Sequence, residues 1–279
     1  ADPARLEQKE LRRAASRLSF ATMTSLPIQV LWTTLATLIL TVCGVNFMGP
    51  NTIGDFPPTA YYLISSIASF LSIVLPFSFF LFFGKRKLSD TVLVEKNGVL
   101  NSVLLVFAGL AVSVLMNIPA NLISQLLEGA GLNGDANTAD LLAMTPVQAL
   151  TMFVSVVLVA PVTEEFAFRS VTTAVMRRWG DWPAVIFSAL IFGMAHYSIQ
   201  SLPVVLMAGF VMALLYVRTR NIWVNIFVHM LNNLLATLPI ALEGLVGADA
   251  ANIASNLLTY IVYGLGLIAL VVLLIRNFT

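Results

Sequence analysis

The sequence predicts an all-α, polytopic membrane protein with eight transmembrane helices and both termini in the cytosol. Three observations carry this. Of 279 residues, 58% are hydrophobic and 10% are charged, where a soluble domain carries about 25% charged residues. Apolar runs long enough to cross a bilayer, about 17–25 residues, recur along the chain. Lysine and arginine collect in alternate connections, as the positive-inside rule requires.

The first 25 residues read as a basic interfacial helix. "ARLEQKELRRAASRLSF" supplies Arg5, Lys9, Arg12, Arg13 and Arg17, with Leu11, Ala14, Ala15 and Leu18 recurring at helical spacing. Residues 26–279 read as one membrane domain, with spans near 26–48, 61–84, 100–125, 147–176, 183–199, 202–218, 222–242 and 256–275. The fifth and sixth are short and joined by "IQSLP", a turn that implies an antiparallel helical pair. With the N-terminus inside, the inner connections hold "KRK" at 85–87, Lys96, "RR" at 177–178, "RTR" at 218–220 and Arg276. The outer connections hold Asp55, Glu128, Asp135, Asp140, Glu243 and Asp249, and neither lysine nor arginine. The connection 128–146 is rich in Gly, Asn and Asp, with a short surface helix expected at "TADLLAM".

Net charge is +1, and no basic cluster is interleaved with aromatics, so nucleic acid is not an expected partner. Membrane lipid is. The single cysteine, Cys43, cannot form an internal disulfide.

Within the spans, ionisable residues are few: Glu164, Glu165 and Arg169 in the fourth, His196 in the fifth and His229 in the seventh. An arginine or aspartate near the centre of a membrane helix costs about 2.5–3.5 kcal/mol on insertion scales, so such groups mark functional sites. At 1.5 Å per residue, Glu164 lies about 21 Å, His196 about 20 Å, His229 about 11 Å and Asn233 about 17 Å from the cytosolic ends of their helices. A shared site is therefore permitted. Glu165 and Arg169, four apart, share a helix face and can pair, while Glu164 points about 100° away, free for chemistry. Pro161 should kink or open the turn before it. Asn225, His229 and Asn233 form a polar stripe at successive i+4 positions, and Phe192 lies one turn before His196, placed to pack beneath the imidazole.

In order, Glu-Glu-x-x-x-Arg (164–169), Phe-x-x-x-His (192–196) and His-x-x-x-Asn (229–233) resemble the CAAX protease and bacteriocin-processing family of intramembrane endopeptidases, which includes the type II CAAX prenyl endopeptidases. The resemblance covers about 150–240, inside an expected catalytic core of about 147–242, and agrees with that family's eight-helix fold. It implies that Glu164 is the general base that activates water, assisted by His196. It implies further that His229 and Asn233 stabilise the oxyanion, and that Glu165, Arg169 and Phe192 support the site. The implied substrate is a peptide or membrane protein, lipidated in some relatives, reached from the cytosolic side. The resemblance favours a mechanism without a cofactor. A rival is zinc held by Glu164, His196 and His229. Buried Glu and His also suit a proton- or solute-coupled transporter, and the cluster could instead serve a noncatalytic immunity or scaffold protein.

Overall fold

The computed structural model describes residues 2–44, 58–132 and 144–278. The expected surface helix at "TADLLAM" and the acidic positions Asp55, Asp135 and Asp140 lie outside them. The described residues form nine helices: α1 (Pro3–Met23), α2 (Ser25–Val42), α3 (Thr59–Phe83), α4 (Val99–Gly129), α5 (Pro146–Trp179), α6 (Asp181–Met194), α7 (Leu202–Thr219), α8 (Ile222–Val246) and α9 (Ala248–Phe278). Their only β pairing is an isolated bridge between Val94 and Asn221.

Seven stretches are long and apolar enough to cross a membrane, α1 and α2 counting as one run from Pro3 to Val42. The expected fifth span differs. Its helix, α6, has 14 residues, about 21 Å at 1.5 Å per residue, short of a hydrocarbon core of about 30 Å. It is antiparallel to α7, as the short turn implies: Val185 packs with Ala213 and Val217, while Gly193 faces Leu202 and Leu206.

α1 is amphipathic as expected. Leu11 and Ala14 pack on the main core, Leu18 is fully buried in it, and Arg5, Lys9, Arg12, Arg13 and Arg17 are exposed. The apolar stripe is docked on the ends of α3 and α5. Basic residues tie helix ends together: Arg178 pairs with Glu10, Arg220 with Glu95 at 2.6 Å, and Arg276 donates to Asn101 at 2.7 Å.

Two helices depart from α geometry in ways that shape the interior. In α3, residues Phe70–Val74 form a π turn just before Pro76. A proline lacks an N–H and its ring clashes with the carbonyl four residues back, here Ser72, so the helix widens. In α5, Phe153–Val159 are π-helical just before Pro161, and Glu165–Thr173 form a second π stretch. The opening expected before Pro161 is thus present. Hydroxyls serve the loosened carbonyls of the second stretch: Thr172 donates to Ala167 O and Thr173 to Phe168 O, each at 3.0 Å, and Ser188 donates to Phe168 O at 2.7 Å.

α9 closes the bundle against α4. At Gly266 an added Cβ would lie 2.6 Å from the Phe107 carbonyl oxygen and 2.8 Å from the Ala111 Cβ. Because the obstruction is partly backbone, Gly266→Ala must separate the two helices. It should cost about 1–3 kcal/mol, read as a lowered midpoint in detergent unfolding; an unchanged midpoint contradicts the close approach.

Candidate active site

The polar residues of α5 and α8 meet inside the bundle, around the imidazole of His229. Its Nδ1 lies 2.9 Å from Glu165 Oε1 and its Nε2 lies 3.7 Å from Glu164 Oε2. The adjacent carboxylates therefore straddle one ring. Glu165 belongs to the dry side: it and Arg169 are fully buried, with Arg169 Nε 3.3 Å from Glu165 Oε2. Asn225, one turn before His229, also approaches Glu165 Oε2 at 3.4 Å and donates to Met212 O at 2.5 Å. Glu164 belongs to the open side, 16% exposed along its side chain. The two carboxylates point to different sides of the ring, as the helix angles imply, with His229 between them.

Phe192 holds the cluster from below. Its ring is 4.8 Å from the His196 ring and 6.0 Å from the His229 ring, both edge-on, and the Arg169 guanidinium lies 4.1 Å over its centroid. Among the described residues, Arg169 has no hydrogen bond that satisfies its nitrogens. Its charge is balanced by the Glu165 carboxylate and the Phe192 face, a cation–π contact worth up to about 2 kcal/mol when desolvated. Gly209 of α7 makes room for that ring: a Cβ there would sit 2.8 Å from Phe192 Cδ1.

His196 departs from expectation. It lies two residues beyond the end of α6, on an exposed turn, and not in a helix crossing the bundle. Its Nδ1 is 2.9 Å from Phe192 O. A carbonyl only accepts, so Nδ1 carries the proton and Nε2 of the neutral ring keeps its lone pair. The next residue, Tyr197, has a left-handed backbone, φ 51°, uncommon outside glycine. Its hydroxyl is fixed to Ser25 Oγ at 2.6 Å, which ties the His196 turn to the start of α2.

Asn233 points elsewhere. Its amide donates to Val156 O at 2.9 Å. In a π stretch each N–H reaches the carbonyl five residues back, and the residue five beyond Val156 is Pro161, which has no N–H. Asn233 fills that gap with one of its two amide hydrogens.

Glu164 and His196 line a cavity of about 150 Å³, whose other walls include Ser25 and Gln29 of α2, Ser69, Ser72 and Phe77 of α3, and Tyr197. At about 30 Å³ per water, it has room for several. Sequence reasoning left out the α2 and α3 wall, which carries no pattern in the chain, and it gave Asn225 no role at the site although the stripe containing His229 already marked it. Among the described residues no three His, Cys, Asp or Glu side chains converge as a metal-binding group, so the set Glu164, His196 and His229 is not arranged as a ligand shell.

The two glutamates should separate in stability measurements. Glu165→Gln leaves a buried guanidinium uncompensated and should cost about 3–5 kcal/mol. Glu164→Gln, at the cavity edge, should stay within about 1 kcal/mol of the parent. Equal losses in unfolding titrations contradict the division.

Residues 146–235 match the model of the Rce1-like family, type II CAAX prenyl endopeptidase Rce1-like. The Bacillus subtilis (strain 168) protein named "Putative membrane peptidase YdiL" is 31% identical over 140 residues, 50% of this chain and 57% of that protein. The match thus spans little more than half of that relative's length. No solved structure matches the chain. The matched family segment contains every residue around His229 described above, together with His196 and Asn233. Over this segment, the chain is similar to the type II CAAX prenyl endopeptidase Rce1-like family.

Proposed function

We propose that the protein is an intramembrane endopeptidase in which Glu164 activates water to hydrolyse a peptide bond of a peptide or membrane protein. One observation carries the reading: the Glu164 carboxylate lies at a small polar cavity that it shares with His196, and 3.7 Å from His229 Nε2. A general base must sit within hydrogen-bond or single-water reach of the groups it works with, and the 3.7 Å separation from His229 Nε2 supports that role for Glu164.

In the proposed reaction Glu164 takes a proton from water as the water oxygen bonds to the scissile carbonyl carbon. The carbonyl electron pair moves to oxygen. His196, with the lone pair of Nε2 available, assists in holding the water. His229, protonated on both nitrogens so that Nε2–H donates while Nδ1–H stays on Glu165, and the second amide hydrogen of Asn233 supply the donors for the oxyanion. Collapse of the tetrahedral intermediate breaks the C–N bond, and the proton on Glu164 passes to the leaving amine. Glu165, with Arg169 and Asn225 around it, fixes the ring of His229 and keeps Nδ1 engaged. Phe192 supports both imidazoles.

The charge pattern of the connections supports a site that opens to the cytosolic side, with α1 lying at that surface. The basic residues Arg178, Arg220 and Arg276, which pair with Glu10, Glu95 and Asn101, all fall in connections assigned to the inside.

The test is hydrolysis by purified protein of a panel of prenylated and unprenylated peptides, with and without a strong zinc chelator. Glu164→Gln should lower kcat by about 10²- to 10⁴-fold, the usual contribution of a general base, and the chelator should leave the rate unchanged. Undiminished hydrolysis by Glu164→Gln removes the mechanism, and loss of activity to the chelator transfers it to a metal.

A further inference from the structure

The cavity in front of Glu164 has a second wall, built by helices outside the matched segment 146–235. Ser25 and Gln29 come from α2, and Ser69 and Ser72 from α3. Ser72 stands out. It is 3% exposed, lies in the middle of the π turn Phe70–Val74, and makes no side-chain hydrogen bond among the described residues. Serines in membrane helices commonly bond to their own backbone, as Ser66 does to Tyr62 O at 2.9 Å and Ser113 to Gly109 O at 3.0 Å. Nor is the Ser72 hydroxyl sealed in packing like those of Ser170 and Ser255; it belongs to the cavity lining. A buried, unpartnered hydroxyl costs free energy unless something occupies it, and single π turns inside α-helices occur frequently at functional sites.

Hydrolytic water alone does not account for this wall. A buried water uses about three hydrogen bonds, and Glu164 and His196 already face that position. Gln29, Ser69 and Ser72 add a further set of donors and acceptors to the lining, while the Ser25 hydroxyl is engaged by Thr22 O and Tyr197. A peptide main chain, which alternates N–H and C=O, is the ligand that uses both. We infer that Ser72 is a substrate-binding residue, whose hydroxyl hydrogen-bonds the main chain of the peptide lying between the α2–α3 wall and Glu164. The inference rests on the peptidase reading, and it adds a contact from outside the matched segment.

Two fluorescein-labelled peptides of the same sequence, one with an S-farnesyl cysteine, serve as probes for the full chain in detergent micelles. Binding is read by anisotropy in the Glu164→Gln background, where hydrolysis cannot interfere. Adding Ser72→Ala should weaken binding roughly 3- to 10-fold, as loss of one hydrogen bond does, and Ser72→Thr, which keeps the hydroxyl, should restore most of it. Unfolding midpoints should match across the variants. Equal affinities with and without the hydroxyl, or no saturable binding of either peptide, overturn the inference. Failure of the peptidase reading looks different: the parent protein binds the probes, with Ser72 dependence, yet cleaves neither.

Discussion

The Glu165 carboxylate is the group on which the rest of the interior depends. It is fully buried and faces Arg169, His229 and Asn225. A buried arginine without a counter-charge is too costly to keep, and a buried carboxylate without donors is equally so. Each makes the other tolerable, and both are held by α5 in a single turn. What this network specifies is the orientation of His229. With Nδ1 engaged by Glu165, the other ring nitrogen is turned toward Glu164 and the cavity. Phe192 completes the arrangement by packing against Arg169 and both imidazoles, in space that Gly209 leaves open.

Proline and π geometry give this network its place. Pro76 and Pro161 each follow a widened stretch, and the loosened backbone is repaired by side chains from neighbouring helices. Asn233 on Val156 O and Ser188 on Phe168 O are such repairs. The same residues that satisfy the backbone therefore fix α8 and α6 against α5, which couples helix packing to the geometry around Glu164. The Ser25–Tyr197 hydrogen bond does the same for the exposed His196 turn.

Much of this was legible in the chain. Helical character followed from the apolar runs, the Glu165–Arg169 pair from i+4 spacing, and the opened turn from Pro161. The convergence of Glu164 and Glu165 on a residue of α8 followed only in outline, since depth estimates permit a meeting without choosing which atoms meet. Other features were not legible for physical reasons. A regular 3.6-residue period cannot anticipate the π stretches of α3 and α5, so the open Val156 carbonyl that engages Asn233 was not legible in the chain. The length of α6 was overestimated because "MAHYSI" is apolar enough to extend a span, while the backbone turns at Tyr197 through a left-handed conformation. Ser72 was invisible because a lone serine in an apolar run has no pattern until the cavity is seen.

The central claim is that the buried carboxylate of Glu165 sets the protonation pattern of His229. A carboxylate paired with arginine only accepts, so Nδ1 of His229 must carry the proton whether the ring is neutral or charged. Nitrogen-15 NMR of histidine-labelled protein, assigned by His229→Gln, reads this directly. The account predicts a protonated Nδ1 across the pH range in which the protein is folded. A neutral ring with the proton on Nε2 and a bare Nδ1 would contradict it.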